Sequence, residues 1–111
     1  MSPDVNRQIL LAARPKGAPR DSDFRMLETA IPEPAEGELL CQTVYLSLDP
    51  YMRGRMNAAK SYTVPAEIGA VMGGGTVCRV LRARLDGFAE GDFVVGNTGW
   101  QDYSVVSGDG L

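Results

Sequence analysis

The sequence predicts a mainly β fold, a partly open β-barrel with short helical turns, and three observations carry that expectation. Short runs rich in β-branched and aromatic residues recur along the chain, for example residues 39–48 and Phe93–Gly96. Turns containing glycine or proline separate these runs at close intervals. No segment of useful length carries the 3.6-residue periodicity of an amphipathic helix.

The elements follow in order. Residues 6–13 form a short apolar strand, closed by the turn-forming cluster 14–19. A second extended stretch covers residues 24–31, and Pro32 and Pro34 exclude a central strand or a helix after it. Beyond the turn at Glu36, Gly37 and Glu38, "LLCQTVYLSL" alternates loosely and ends at Asp49-Pro50, where proline fixes the backbone. Residues 56–59 allow one turn of helix. "TVCRVLRARL", "FVVG" and "WQDYSVVS" supply the remaining strands, with "DGFAEGD" and "NTG" as turns. The chain stops in a turn just after the last strand, as an internal segment of a longer chain would.

Composition narrows the function classes. The 111 residues suit one domain or part of one, and the 44% hydrophobic and 23% charged fractions are those of an ordinary globular chain. No apolar run is long enough to span a membrane. A net charge of −3 argues against a general nucleic-acid binder, which would carry a basic face. All but Lys16 and Lys60 of the 11 basic residues are arginine, a side chain that suits anions but usually lies solvated on the surface. Cys41 and Cys78 stand far apart in apolar surroundings, which suits buried free thiols in a reducing, cytoplasmic setting better than a disulfide, the alternative. The chain has no histidine, which removes His-based acid/base chemistry and the usual zinc ligand sets.

Several motifs have structural explanations. Gly73-Gly74-Gly75 begins like a dinucleotide loop, but Cys78 takes the last glycine position and a β-branched strand follows instead of a helix. A sharp bend, or a close approach by another part of the chain, accounts for the run better. "FAEGD" is a tight turn. Trp100 and Tyr103, three apart in an expected strand, would face opposite sides, with Trp100 in the core.

"LSLDPYMRGRM" resists such treatment. Asp49 can accept hydrogen bonds from the amides that follow it, and Tyr51 sits where the chain leaves the sheet, a common place for functional groups. Its phenol can donate to a carbonyl or enolate oxygen. Arg53 and Arg55 could hold a phosphate or carboxylate, or pair with Asp49 and nearby glutamates.

Taken in order, "VYLSLDPYMRGRM", "GGGTV", "FAEGDFVVG" and "GWQDYSVV" resemble the N-terminal portion of the zinc-independent medium-chain dehydrogenase/reductases. The similarity is to the NADP-dependent alkenal/one reductase group, which includes the leukotriene B4 12-hydroxydehydrogenase-like prostaglandin reductases. The resemblance covers residues 7–107, and the missing histidines agree with the zinc-independent branch. It implies that residues 1–111 are a GroES-like barrel, incomplete and inactive alone. A Rossmann domain beyond residue 111 would bind most of NADP(H), without zinc. It further implies transfer of hydride from NADPH to the C=C bond of an α,β-unsaturated ketone or aldehyde. Tyr51 would line the substrate pocket and donate to the carbonyl, while Met52, Arg53 and Tyr103, the last at a matching W-x-x-Y position, would line the substrate or cofactor cleft. Arg55 and Tyr62 receive no role. Some relatives place an aromatic residue near Gly75, and this chain has none there. The whole protein would be a homodimer acting on a small enone. A quinone reductase of the same superfamily is the alternative enzyme, and a non-catalytic all-β binding module the alternative outside enzymes.

Overall fold

A computed structural model describes residues 5–57 and 66–108. β1 (Val5–Leu11) returns through a single 3-10 turn at Asp21–Asp23 and pairs antiparallel with β2 (Phe24–Ala30). β2 ends just ahead of Pro32 and Pro34, as those residues require. β3 (Glu38–Leu46), β4 (Thr76–Ala83), β5 (Phe93–Gly96) and β6 (Tyr103–Ser107) make a four-stranded antiparallel sheet in the order β5-β4-β3-β6.

The mainly β expectation holds, and among the described residues the two sheets do not close into one barrel. They meet along the free edge of β1, through isolated bridges at Gln8↔Gln101 and Leu10↔Val71. Backbone bonds strengthen that seam: the Ile9 amide donates to the Trp100 carbonyl at 2.9 Å, and the Met72 amide to the Ile9 carbonyl at 3.0 Å. Asn6, although fully buried in a strand expected to be apolar, is satisfied there. Its Nδ2 donates to Gln101 Oε1 at 3.1 Å and its Oδ1 accepts the Tyr103 amide at 2.8 Å. A buried amide with both ends paired fixes the seam's register at little cost.

The loose alternation of β3 has a cause. Its ladder to β4 shifts register between Leu40 and Cys41 and again between Thr43 and Tyr45. The first irregularity lets Leu39, Leu40 and Cys41 all bury, and the second leaves Val44 and Tyr45 both exposed. "FAEGD" is the structural turn expected: Gly91 has φ +93, and the Asp92 carboxylate accepts the Ala89 amide at 2.8 Å.

Two expectations change. The helix is α1, Tyr51–Arg55, which Met56 ends as its C-cap, so the turn expected at 56–59 starts too late; residues 58 and 59 lie outside the described residues, as does Tyr62. Pro50, with φ −56 and ψ −33, already has helical backbone and starts α1 without a side-chain cap. The last strand begins at Tyr103, so Trp100 precedes it and the opposite-faces rule does not govern that pair.

The core has two parts. Leu39, Cys41, Cys78 and Val80 pack inside the larger sheet, and Leu11, Met56 and Met72 pack beneath β1 with Phe24 and Trp100 against them. The second cluster places Trp100 in the core, as expected. Both cysteines are buried free thiols. Burial, with a smaller contribution from Cys78, pushes the Cys41 thiol up to about 11, so the reactive thiolate is scarce at neutral pH. Ellman's reagent at pH 8 is therefore expected to label neither cysteine in the native domain and both after denaturation; rapid native labelling would contradict this packing.

Candidate functional site

β3 delivers the chain to the site. After Leu46 the Ser47 amide donates to the Gly75 carbonyl at 2.9 Å, which carries β3's attachment one step past the strand. The Ser47 hydroxyl then donates to Asp49 Oδ2 at 2.9 Å. The Asp49 carboxylate is thus engaged backward rather than as the cap of the amides after it. Its backbone carbonyl takes the Met52 amide at 3.1 Å instead, and the Pro50 carbonyl takes the Arg53 amide at 3.2 Å. Five residues that include Gly54 cannot hold a helix by propensity alone, so its surroundings must do so.

Arginines supply much of that hold. Arg53 Nε donates to the Gly17 carbonyl at 3.0 Å, NH2 to the Pro15 carbonyl at 3.0 Å and NH1 to Asn57 Oδ1 at 2.7 Å. The guanidinium therefore ties α1 to the turn between β1 and β2. From that same turn, Arg14 NH1 donates to the Met56 carbonyl at 2.8 Å and the Ala66 carbonyl at 3.1 Å. Arg55 lies over the glycine run: a Cβ on Gly73 would come within 3.3 Å of its NH1. Sequence reasoning missed Arg14, whose only signal was its place in a turn cluster.

Beneath α1 the packing is apolar. Met52 is 4% exposed and reaches Gly74, where a Cβ would meet Met52 Cε at 2.9 Å, Leu46 Cδ1 at 3.2 Å and Trp100 Nε1 at 3.2 Å. The glycine run is thus the close approach expected of it. Trp100 is fixed from its other side by stacking on Phe24, with centroids 5.6 Å apart and planes 24° from parallel. Its backbone amide donates to the Met72 carbonyl at 2.8 Å, and its Nε1 is buried without a hydrogen-bond partner among the described residues.

Tyr51, by contrast, is 44% exposed at the first helical position. The structure brings Tyr51, Met52 and Arg53 together on one immobilised turn, with Tyr51 outward, Met52 inward and Arg53 toward residues 15–17. Tyr103 is placed elsewhere: it pairs with Gln42 in the middle of β3, away from the end that leads to α1.

A cavity of about 320 Å³ opens beside this corner, with Ile9, Leu46 and Trp100 in its walls. It shares Leu46 and Trp100 with the packing under α1 but, among the described residues, is lined by none of Tyr51, Met52, Arg53 or Tyr103. Arg7 and Asp102 form its charged side. Arg7 Nε donates to Asp102 Oδ2 at 2.6 Å, NH2 to Oδ1 at 3.1 Å and the Arg7 amide to Oδ2 at 3.2 Å. This fork joins β1 to the start of β6. Hydrogen bonding from Arg7 holds the Asp102 carboxyl below the usual carboxylate range, against the smaller opposing effect of burial. A carboxylate lowered on folding stabilises above its unfolded pKa, and that stability is lost as pH falls through the folded value. Asp102→Asn is therefore expected to lower the melting temperature at pH 7 modestly, because the pair is about a third exposed. The wild-type advantage should shrink on acidification toward pH 3; an advantage constant with pH would contradict the assignment.

No three His, Cys, Asp or Glu side chains gather as a metal site among the described residues, and no helix there is long and apolar enough to cross a membrane.

Comparisons with known proteins agree with this architecture. A family profile described as the N-terminal domain of oxidoreductase matches residues 7–111. The chain is 53% identical to the NADPH-dependent curcumin reductase of Escherichia coli over 96% of its own length and 31% of that protein's. It is 34% identical to the 2-alkenal reductase (NADP(+)-dependent) of Nicotiana tabacum, over 92% of this chain and 31% of that one. The crystal structure of CurA in complex with NADPH from Vibrio vulnificus superposes with a TM-score of 0.89 at 54% identity, over 95% of this chain and 31% of that one. The chain thus spans about 31% of the length of these relatives.

Proposed function

The chain belongs to the family of oxidoreductase N-terminal domains, and from that premise we propose that it is the substrate-side domain of an NADPH-dependent reductase of α,β-unsaturated ketones and aldehydes. The observation that carries this is the placement of Tyr51: an exposed phenol on a short helix held by Arg53 and by Met52 beneath it. Relatives described as curcumin and 2-alkenal reductases support the substrate class.

The residues of this chain do not fit the main cofactor site. Gly73 to Gly75 lead into β4 rather than into a helix, so the run lacks the helix N-terminus such a site uses, and Met52, Leu46 and Trp100 close over Gly74. NADP(H) is accordingly held mainly by a domain outside this chain, and when bound it supplies the hydride. Zinc has no part in this proposal: the chain has no histidine and both cysteines lie in the sheet's interior.

This chain's task is orientation and charge stabilisation. As the β-carbon accepts hydride, negative charge grows on the carbonyl oxygen, and a hydrogen-bond donor already aimed there lowers the barrier. Tyr51 Oη–H is that donor, and a proton taken up from solvent water at the α-carbon converts the enolate to the saturated ketone or aldehyde. Met52 and Arg53 set the direction of the turn that carries it. The test uses the whole polypeptide that contains this domain, supplied with NADPH and simple enones, quinones or saturated ketones in turn. Consumption of NADPH with enones above both other classes is expected. Turnover of quinones alone, or of none, would overturn the proposal.

A further inference from the structure

Gly74 has a role that backbone freedom does not explain. It is absent from the glycines with positive φ, so an alanine there meets no intrinsic backbone objection. Its need is for space. A Cβ at this position would fall 2.9 Å from Met52 Cε and 3.2 Å from both Leu46 Cδ1 and Trp100 Nε1, inside ordinary contact on three sides. Two of those neighbours are poor at yielding. Trp100 is stacked on Phe24 and tied by its backbone to Met72, and Leu46 closes β3. Met52 is the flexible partner, and it stands on α1, next to Tyr51.

We infer that Gly74 is a positioning residue of the active site: the room it leaves lets Met52 seat against Trp100 and Leu46, and that seating sets the direction of α1. A side chain at 74 pushes the Met52 methyl, and Met52 has little room to swing clear: it is 4% exposed and its Sδ takes the Asp49 amide at 3.5 Å, so the push reaches the start of a helix whose later residues Arg53 and Arg14 pin. The response falls on the N-terminal end, which leans on Met52 through the Asp49 amide, and that end carries Tyr51. The assignment deepens the reading of Tyr51 as the carbonyl donor and rests on it for its catalytic consequence. Displacements of about 1 Å in a positioned group are enough to cost orders of magnitude in rate.

The test is a double-mutant cycle in the whole NADPH-dependent enzyme, with kcat expressed per NADPH-binding site so that loss of folded protein does not count. Gly74→Ala is expected to lower kcat about tenfold, with the KM for NADPH unchanged. In a Met52→Ala background, where the displaced methyl is gone, the same change should cost less than about twofold. An unchanged per-site kcat in Gly74→Ala, or an equal loss in both backgrounds, would overturn the inference. If Gly74→Ala does not fold, the double variant decides: folded enzyme with kcat within about twofold of Met52→Ala supports it, and failure of the double variant to fold overturns it. Tyr51→Phe is measured in parallel. If that variant keeps the wild-type rate, the donor reading fails, while a Gly74 loss relieved by Met52→Ala still assigns Gly74 to positioning α1.

Discussion

Gly99→Ala is expected to destabilise the domain by about 3–5 kcal/mol, from backbone strain and overpacking together. Gly99 has φ +81, a conformation side chains disfavour, and a Cβ there would lie 2.6 Å from the Met72 carbonyl oxygen. That oxygen cannot move aside cheaply, because it accepts the Trp100 amide and belongs to the strip that binds β1. Gly37→Ala is the control: its φ is +85, yet a Cβ meets nothing within 4 Å, so it should cost only the strain, about 1 kcal/mol. Urea denaturation of both variants measures the difference. Equal costs would show that the approach of Gly99 to Met72 is not what the position requires.

Tyr51→Phe should leave stability almost untouched and cut kcat of the whole enzyme on enones about 100-fold, the usual cost of losing one donor to a developing oxyanion. The ring is exposed at the head of α1, and phenylalanine keeps it while removing only the hydroxyl. Losing an interaction made chiefly in the transition state lowers kcat and kcat/KM together, with the KM for NADPH unchanged. A variant with the wild-type rate would remove Tyr51 from the chemistry.

Much of this architecture was legible in the sequence. Phe93–Gly96 was expected with the same limits, and Thr76 and Phe24 were expected as strand starts, because glycine turns or a turn cluster precede them. Strand ends were less legible. β3 was expected to run to residue 48 but ends at Leu46, since its ladder partner stops at Thr76 and only the Ser47 amide finds a carbonyl beyond. α1 carried no periodic signal because five residues are too few to show one; Pro50, read from the sequence only as the end of the strand, is pre-set in helical backbone and starts it.

At the site, sequence singled out Tyr51, Met52 and Arg53, and all three fall on α1. It could not say what the arginines touch. Arg53 reaches backbone carbonyls 36 and 38 positions away, and no pattern in one sequence exposes a contact of that kind. Gly74 was visible only as one of three glycines, and its meaning came from Met52, Leu46 and Trp100 converging on it. Tyr103 and Trp100 were grouped by spacing, and the late start of β6 separates them.

The most direct test of the central claim follows the hydride itself. The whole polypeptide is supplied with NADPH carrying deuterium at the transferable position and a simple enone, and the product is examined by NMR. A saturated ketone with deuterium on the β-carbon is expected. Deuterium on the carbonyl carbon, giving an allylic alcohol, or no product at all, would contradict the assignment of this domain to an enone reductase.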